Sequence, residues 1–108
     1  MRWKRFERTY DHGRGEFTLK GVALGGLFVG KNVNRDTRGI AHAGSGYAIS
    51  GSQYWDRPVR MLKKAAERIL LEPGIDWTGD KPPIVPPDTI AVIKAIIEEE
   101  ARNDRLER

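Results

Sequence analysis

Apolar and polar positions along this chain follow two different periods, and the change falls near residue 56. Residues 3–10 (WKRFERTY) mix aromatic, basic and β-branched side chains and stop at the turn formers Asp11, His12, Gly13, Arg14 and Gly15, which predicts a strand and then a turn. Residues 17–31 are rich in Phe, Leu and Val. Gly21, Gly25, Gly26 and Gly30 interrupt them, and each would weaken a helix by about 1 kcal/mol relative to alanine. One long bent strand or two short ones are expected, with a bulge near Gly25 and Gly26. Residues 31–39 are turn formers and charges and predict a loop. In residues 40–50, Gly44, Ser45 and Gly46 form a tight turn into a final strand at Tyr47, Ala48 and Ile49. Three or four short strands in this order favour an antiparallel meander.

Beyond residue 56 the period becomes helical. Asp56 suits an N-cap and Pro58 a first turn, and Val59, Leu62, Ala66, Ile69 and Leu70 share one face at 100° per residue. The helix, spanning 56–72, should end at Glu72, Pro73 and Gly74, because proline cannot continue the ladder and glycine accepts the left-handed exit. Trp77 returns the chain to the core, and residues 81–87 (KPPIVPP) read as a stiff, polyproline-like spacer. Asp88 caps a second helix over 88–108, with Ile90, Val92, Ile93, Ile96 and Ile97 on a broad apolar arc and a charged tail from residue 102 that frays. The expected fold class is α+β. A small antiparallel sheet of three or four strands is packed by one amphipathic helix in a body spanning 1–80, and a C-terminal helix follows the spacer. That last helix must bury its isoleucines, either on its own chain or, through Ile90, Ile93 and Ile97, on another copy in a homodimer or on a partner.

Composition constrains this picture in three ways. At 108 residues the chain suits one domain, and 39% hydrophobic with 31% charged residues suits a chain that folds rather than a disordered one. No cysteine and only two histidines, His12 and His42, leave no basis for a disulfide framework or a zinc site, so no metal or cofactor is expected. The longest apolar stretch, 21–30, is about half the length of a membrane-spanning helix, and the basic N-terminus lacks an apolar segment behind it. A soluble, cytoplasmic protein without membrane contact is expected.

Charge is unevenly placed. Residues 1–72 carry 14 Lys+Arg against 7 Asp+Glu, a net of +7, whereas residues 73–108 carry 5 against 8, a net of −3. Within the basic part, Arg2, Lys4, Phe6, Arg8 and Tyr10 share one strand face by the period of two, a mixture that neutralises phosphates and stacks bases. An edge strand guarded against aggregation would look the same. Lys31, Arg35 and Arg38 crowd the expected loop, where they can clamp a nucleic-acid backbone or simply be hydrated. Arg57, Arg60, Lys64 and Arg68 fall within an arc of about 80° on the first helix. The solvated face of a helix usually mixes signs, and this stripe is almost purely positive. Tyr47, Tyr54 and Trp55 are rings that can stack on bases or fill the core.

Catalytic signals are thin. No nucleophile elbow surrounds Ser45, no phosphate-binding loop ends in lysine, and His12 beside Asp11 or His42 near Ser45 are neighbours of an ordinary kind in sequence. The expectation is therefore a non-catalytic nucleic-acid-binding protein, DNA-binding or RNA-binding, that meets phosphates through a basic sheet, loop and helix face. The alternative is a small inhibitor or adaptor whose basic face meets an acidic protein partner and whose isoleucine-rich helix makes the anchoring contact.

Overall fold

A computed structural model describes residues 2–49 and 57–107. Tyr54, Trp55 and Asp56 lie outside the described residues. Four strands, β1 (Lys4–Asp11), β2 (Glu16–Leu24), β3 (Leu27–Asn32) and β4 (Thr37–His42), form one antiparallel sheet in the order β1-β2-β3-β4. Two helices follow, α1 (Val59–Leu70) and α2 (Pro87–Leu106). The architecture is α+β, with α2 entered from the proline-rich spacer. Among the described residues no helix is long and apolar enough to cross a membrane.

Gly25 and Gly26 make a hairpin, not a bulge. Both have positive φ, 59° and 91°, and Leu24 pairs with Leu27 across them, which is the two-residue geometry that matches strand twist. A side chain at Gly26 would place its Cβ 2.2 Å from the Trp77 carbonyl oxygen, so this turn is wedged against the segment leaving α1. The expected loop at 31–39 is shorter than the sequence implies, because β3 runs through Asn32 and β4 begins at Thr37. Lys31 and Arg38 are thus paired strand residues. The turn between them is pinned by Asn32, whose carbonyl accepts from Asp36 N at 2.9 Å, and by Asn34 Oδ1, which accepts from Thr18 N at 2.9 Å. Among the described residues the last strand is β4. Residues 47–49 return beside it through a single bridge between Ala41 and Ala48 and a 2.8 Å bond from Ile49 N to Ile40 O.

The sheet buries both faces. On one, Leu27, Val29 and Ile40 pack against Met61, Leu62, Ala65, Ala66 and Ile69 of α1 and against Trp77, and the same core takes Ile93, Ile96 and Ile97 of α2. On the other, Tyr10, Leu19, Phe28 and Ala41 form a second core with Phe6 and Phe17 at its margin. This second face closes on itself because Phe6, Gly21, Gly30 and Gly39 stand in one row across all four strands. With no side chains at the glycines, Phe28 fills the space, and a Cβ at Gly21 would meet its ring at 3.1 Å. The curled sheet is then latched, since the Tyr10 hydroxyl donates to the Ala43 carbonyl and His12 Nε2 lies 2.7 Å from the Ser45 carbonyl.

Both helices depart from expectation at their ends. Pro58 occupies the N-cap of α1 in an extended conformation, so the helix starts three residues after Asp56. Pro86 is the N-cap of α2 and Pro87 its first residue, with Asp88 in the first turn instead of capping it. Proline replaces a side-chain cap here because its missing N–H removes one of the unsatisfied donors. The tail does not fray at residue 102. It stays helical to Leu106 because its carboxylates are held by α1. Finally, α2 is not held apart by the spacer but packs on α1 within the same chain, burying Ile93, Ile96 and Ile97.

Candidate nucleic-acid interface

The basic stripe of α1 faces carboxylates of the same molecule. Arg57 lies 3.4 Å from Glu98, Arg60 3.0 Å from Asp104, Lys64 3.7 Å from Glu107, and Arg68 3.3 Å from Glu99 and 2.7 Å from Glu100. The hydrogen bond it donates to Glu100, foremost, strengthens the hold of the Arg68 guanidinium on its proton. The stripe reaches α2 because the buried face of α1, although it keeps Leu62, Ala66 and Ile69, is turned from the one that Val59, Leu62, Ala66, Ile69 and Leu70 define. Val59 is exposed and Met61 and Ala65 are buried, which rotates the apolar arc by about 60° toward the cations. The excess of acid after residue 73 is thus the complement of this stripe. Arg57, Arg60, Lys64 and Arg68, the residues expected to meet an outside anion, each have a carboxylate of the same chain within 4 Å.

Other expected residues are placed differently. Arg2, Lys4 and Arg8 are exposed at β1, and the Arg8 guanidinium stands 5.1 Å from the centroid of the Tyr10 ring. Of the rings that share that face, Tyr10 is buried in the second core and Phe6 is partly buried against it. Ile93 and Ile97 are buried in the chain's own core and Ile90 is partly buried, whereas Val92 is exposed, so the apolar arc of α2 is covered in cis except at Val92.

The sheet brings together a cationic set that sequence reasoning saw only in part. Glu7, Lys20, Lys31 and Arg38 are register partners across all four strands, one step beyond the row Arg5, Val22, Val29 and Ile40. The latter row is apolar at Val22, Val29 and Ile40, which join the core beneath the helices, whereas Lys20, Lys31 and Arg38 are exposed. Acids flank them: Glu7 is 3.8 Å from Lys20, and Asp36 is 2.7 Å from Lys31. The hydrogen bond from Lys31 holds the Asp36 carboxyl below the usual aspartate range, with the charges of Lys31 and Arg38 acting in the same sense. Lys20 was legible once the turn was known, because a two-residue reversal at Gly25 and Gly26 sets it opposite Lys31.

On the opposite face of the sheet from this row, where Phe17 and Asn32 point, the β1–β2 turn, the β3–β4 turn and the segment at 46–48 enclose a groove of about 480 Å³. Arg14 and Arg35 are its cations and Glu16 its acid. His12 and Tyr47 stack in it with ring centroids 4.2 Å apart and an interplanar angle of 16°, and Phe17 meets the His12 ring edge-on at 4.9 Å. Tyr47, the expected stacking ring, is 53% exposed.

His42 is built differently. Its Nε2 faces the Trp77 carbonyl at 2.8 Å, and because a carbonyl only accepts, that nitrogen carries the hydrogen. Nδ1 then accepts from Ser45, whose Oγ is 2.7 Å and whose N is 3.2 Å away. The ring joins the turn at 43–46 to the segment leaving α1, with both nitrogens engaged. Compared with protein-family models, with curated proteins and with solved structures, the chain shows no match.

Proposed function

We propose that this chain is a non-catalytic nucleic-acid-binding protein whose phosphate-contacting surface is the sheet and its turns, not the helix. The observation that carries the reading is the row Lys20, Lys31 and Arg38. Like charges directly opposite on neighbouring strands destabilise a sheet, and here two such pairs adjoin on three consecutive strands. A polyanion offsets that repulsion with repeated phosphates, and Arg35 in the adjoining turn extends the charge toward the groove. His42 and Ser45, the residues closest to a catalytic pair, support a non-catalytic role, since the imidazole is buried with both nitrogens bonded and Ser45 is itself buried. The adaptor reading draws less support, because the isoleucines it would use as anchors are spent on α1 and the sheet.

Fluorescence anisotropy with labelled DNA and RNA at low salt tests the reading. Binding that weakens steeply with salt, and weakens on the order of tenfold when Lys31→Glu and Arg38→Glu are combined, is the expected result. Absence of any complex at low salt would overturn it.

A further inference from the structure

Tyr47 lines two cavities. One is the cationic groove with Arg14 and Arg35; the other is an apolar cavity of about 260 Å³ lined by Ile49, Trp77, Pro82, Pro83, Ile93 and neighbouring residues. One face of the Tyr47 ring is covered by His12, which leaves the opposite face for a ligand. The apolar cavity holds one unsettled polar group. Trp77 is 4% exposed and lines the cavity, and its Nε1–H, shielded from solvent, has no hydrogen-bond partner. A buried donor without an acceptor is costly, and native structures seldom leave one unmatched. His42, also in the wall, has both nitrogens engaged and offers nothing in its place.

A ligand that suits both cavities is flat and largely apolar, carries an acceptor at its edge, and is joined to an anion. We infer that the site takes an unpaired nucleobase of a single-stranded nucleic acid, stacked on Tyr47, with an edge carbonyl or ring nitrogen accepting from Trp77 once the indole tilts to bring its N–H to the cavity surface, while the adjoining phosphates lie at Arg14 and Arg35. A base within a duplex has both faces stacked and its pairing edge occupied, so it cannot enter. This rests on the nucleic-acid reading above and narrows it to single strands.

The full chain should be titrated at low salt with a labelled single-stranded 12-mer, in DNA and RNA forms, and with a blunt duplex of the same length. Single strands should bind on the order of tenfold more tightly than the duplex. Tyr47→Ala should lose that advantage, Tyr47→Phe should keep it, and duplex binding should be the same in both variants. The Trp77 indole N–H resonance should shift downfield on adding the single strand and stay in place with the duplex. Whichever of the DNA and RNA forms binds more tightly identifies the sugar of the ligand. Equal binding of single strand and duplex, with Tyr47→Ala changing neither, would overturn the inference and leave the phosphate-binding surface standing. Absence of binding to all three would overturn both.

Discussion

Arg60 Nε donates a 3.0 Å hydrogen bond to Asp104 Oδ1, tying the first turn of α1 to the last turn of α2. The two ends are unequal, since the Asp104 side chain is 6% exposed and that of Arg60 is 62% exposed. Arg60→Ala leaves a buried carboxylate without this cation and is expected to cost about 2 kcal/mol. Asp104→Asn keeps an acceptor in place and lets the guanidinium hydrate, so it should cost less, about 1 kcal/mol. Urea denaturation of both variants measures the difference. A loss below about 0.5 kcal/mol for Arg60→Ala would mean the pair acts like an ordinary surface ion pair.

The two basic surfaces should separate in experiment. Reversing Arg60 and Lys64 together to Glu sets like charges against Asp104 and Glu107, so it should lower the denaturation midpoint and leave nucleic-acid affinity nearly unchanged at temperatures where the variant is folded. Reversing Lys31 and Arg38 makes the pair with Lys20 attractive but leaves positions 31 and 38 like-charged and sets both against Asp36, so stability should fall by about 1 kcal/mol while affinity falls more. The slope of log affinity against log salt should also lose about 1 unit for each phosphate contact removed. The opposite pattern would assign phosphate binding to α1.

Tyr10 links β1 to the Ala43 carbonyl, and burial raises its phenol pKa above 10.0, while the Arg8 charge opposes that rise. The folded state therefore favours the neutral phenol. Its contribution is fully present below pH 10, the pKa of an unfolded tyrosine, and is lost as pH rises through the higher folded value. Stability followed from pH 9 to pH 12 should fall more steeply for the parent than for Tyr10→Phe. At neutral pH the Phe variant should be about 1 kcal/mol less stable for want of the hydrogen bond. Parallel curves would show that Tyr10 does not couple to folding.

Gly26 and Gly13 both have positive φ, 91° and 88°, yet their surroundings differ. Alanine at Gly13 meets nothing within 4 Å and should cost only the left-handed backbone penalty, about 1 kcal/mol. Alanine at Gly26 adds a collision with the Trp77 backbone and should cost about 3 kcal/mol or more. Thermal unfolding of the two variants compares them directly. Similar midpoints would mean that the Trp77 segment moves aside at little cost.

Local patterns decided much of this architecture. Glycine interruptions excluded a helix over 17–31, and proline and glycine ended α1 where the ladder could not continue, because these residues act through their own backbone geometry. The isoleucine arc of α2 was equally legible, since a helical period states which face must be buried. Tertiary structure decided what those faces meet. The stripe from Arg57 to Arg68 looked unpaired because its carboxylates lie 31 to 44 residues away, and ion pairing follows distance in space, not position along the chain. The row of Lys20, Lys31 and Arg38 needed the strand register, which one unrecognised turn residue would shift to the other face. The Tyr47 site needed the curl of the sheet, since only closure through Tyr10 and His12 brings the first strand to the segment that follows the last.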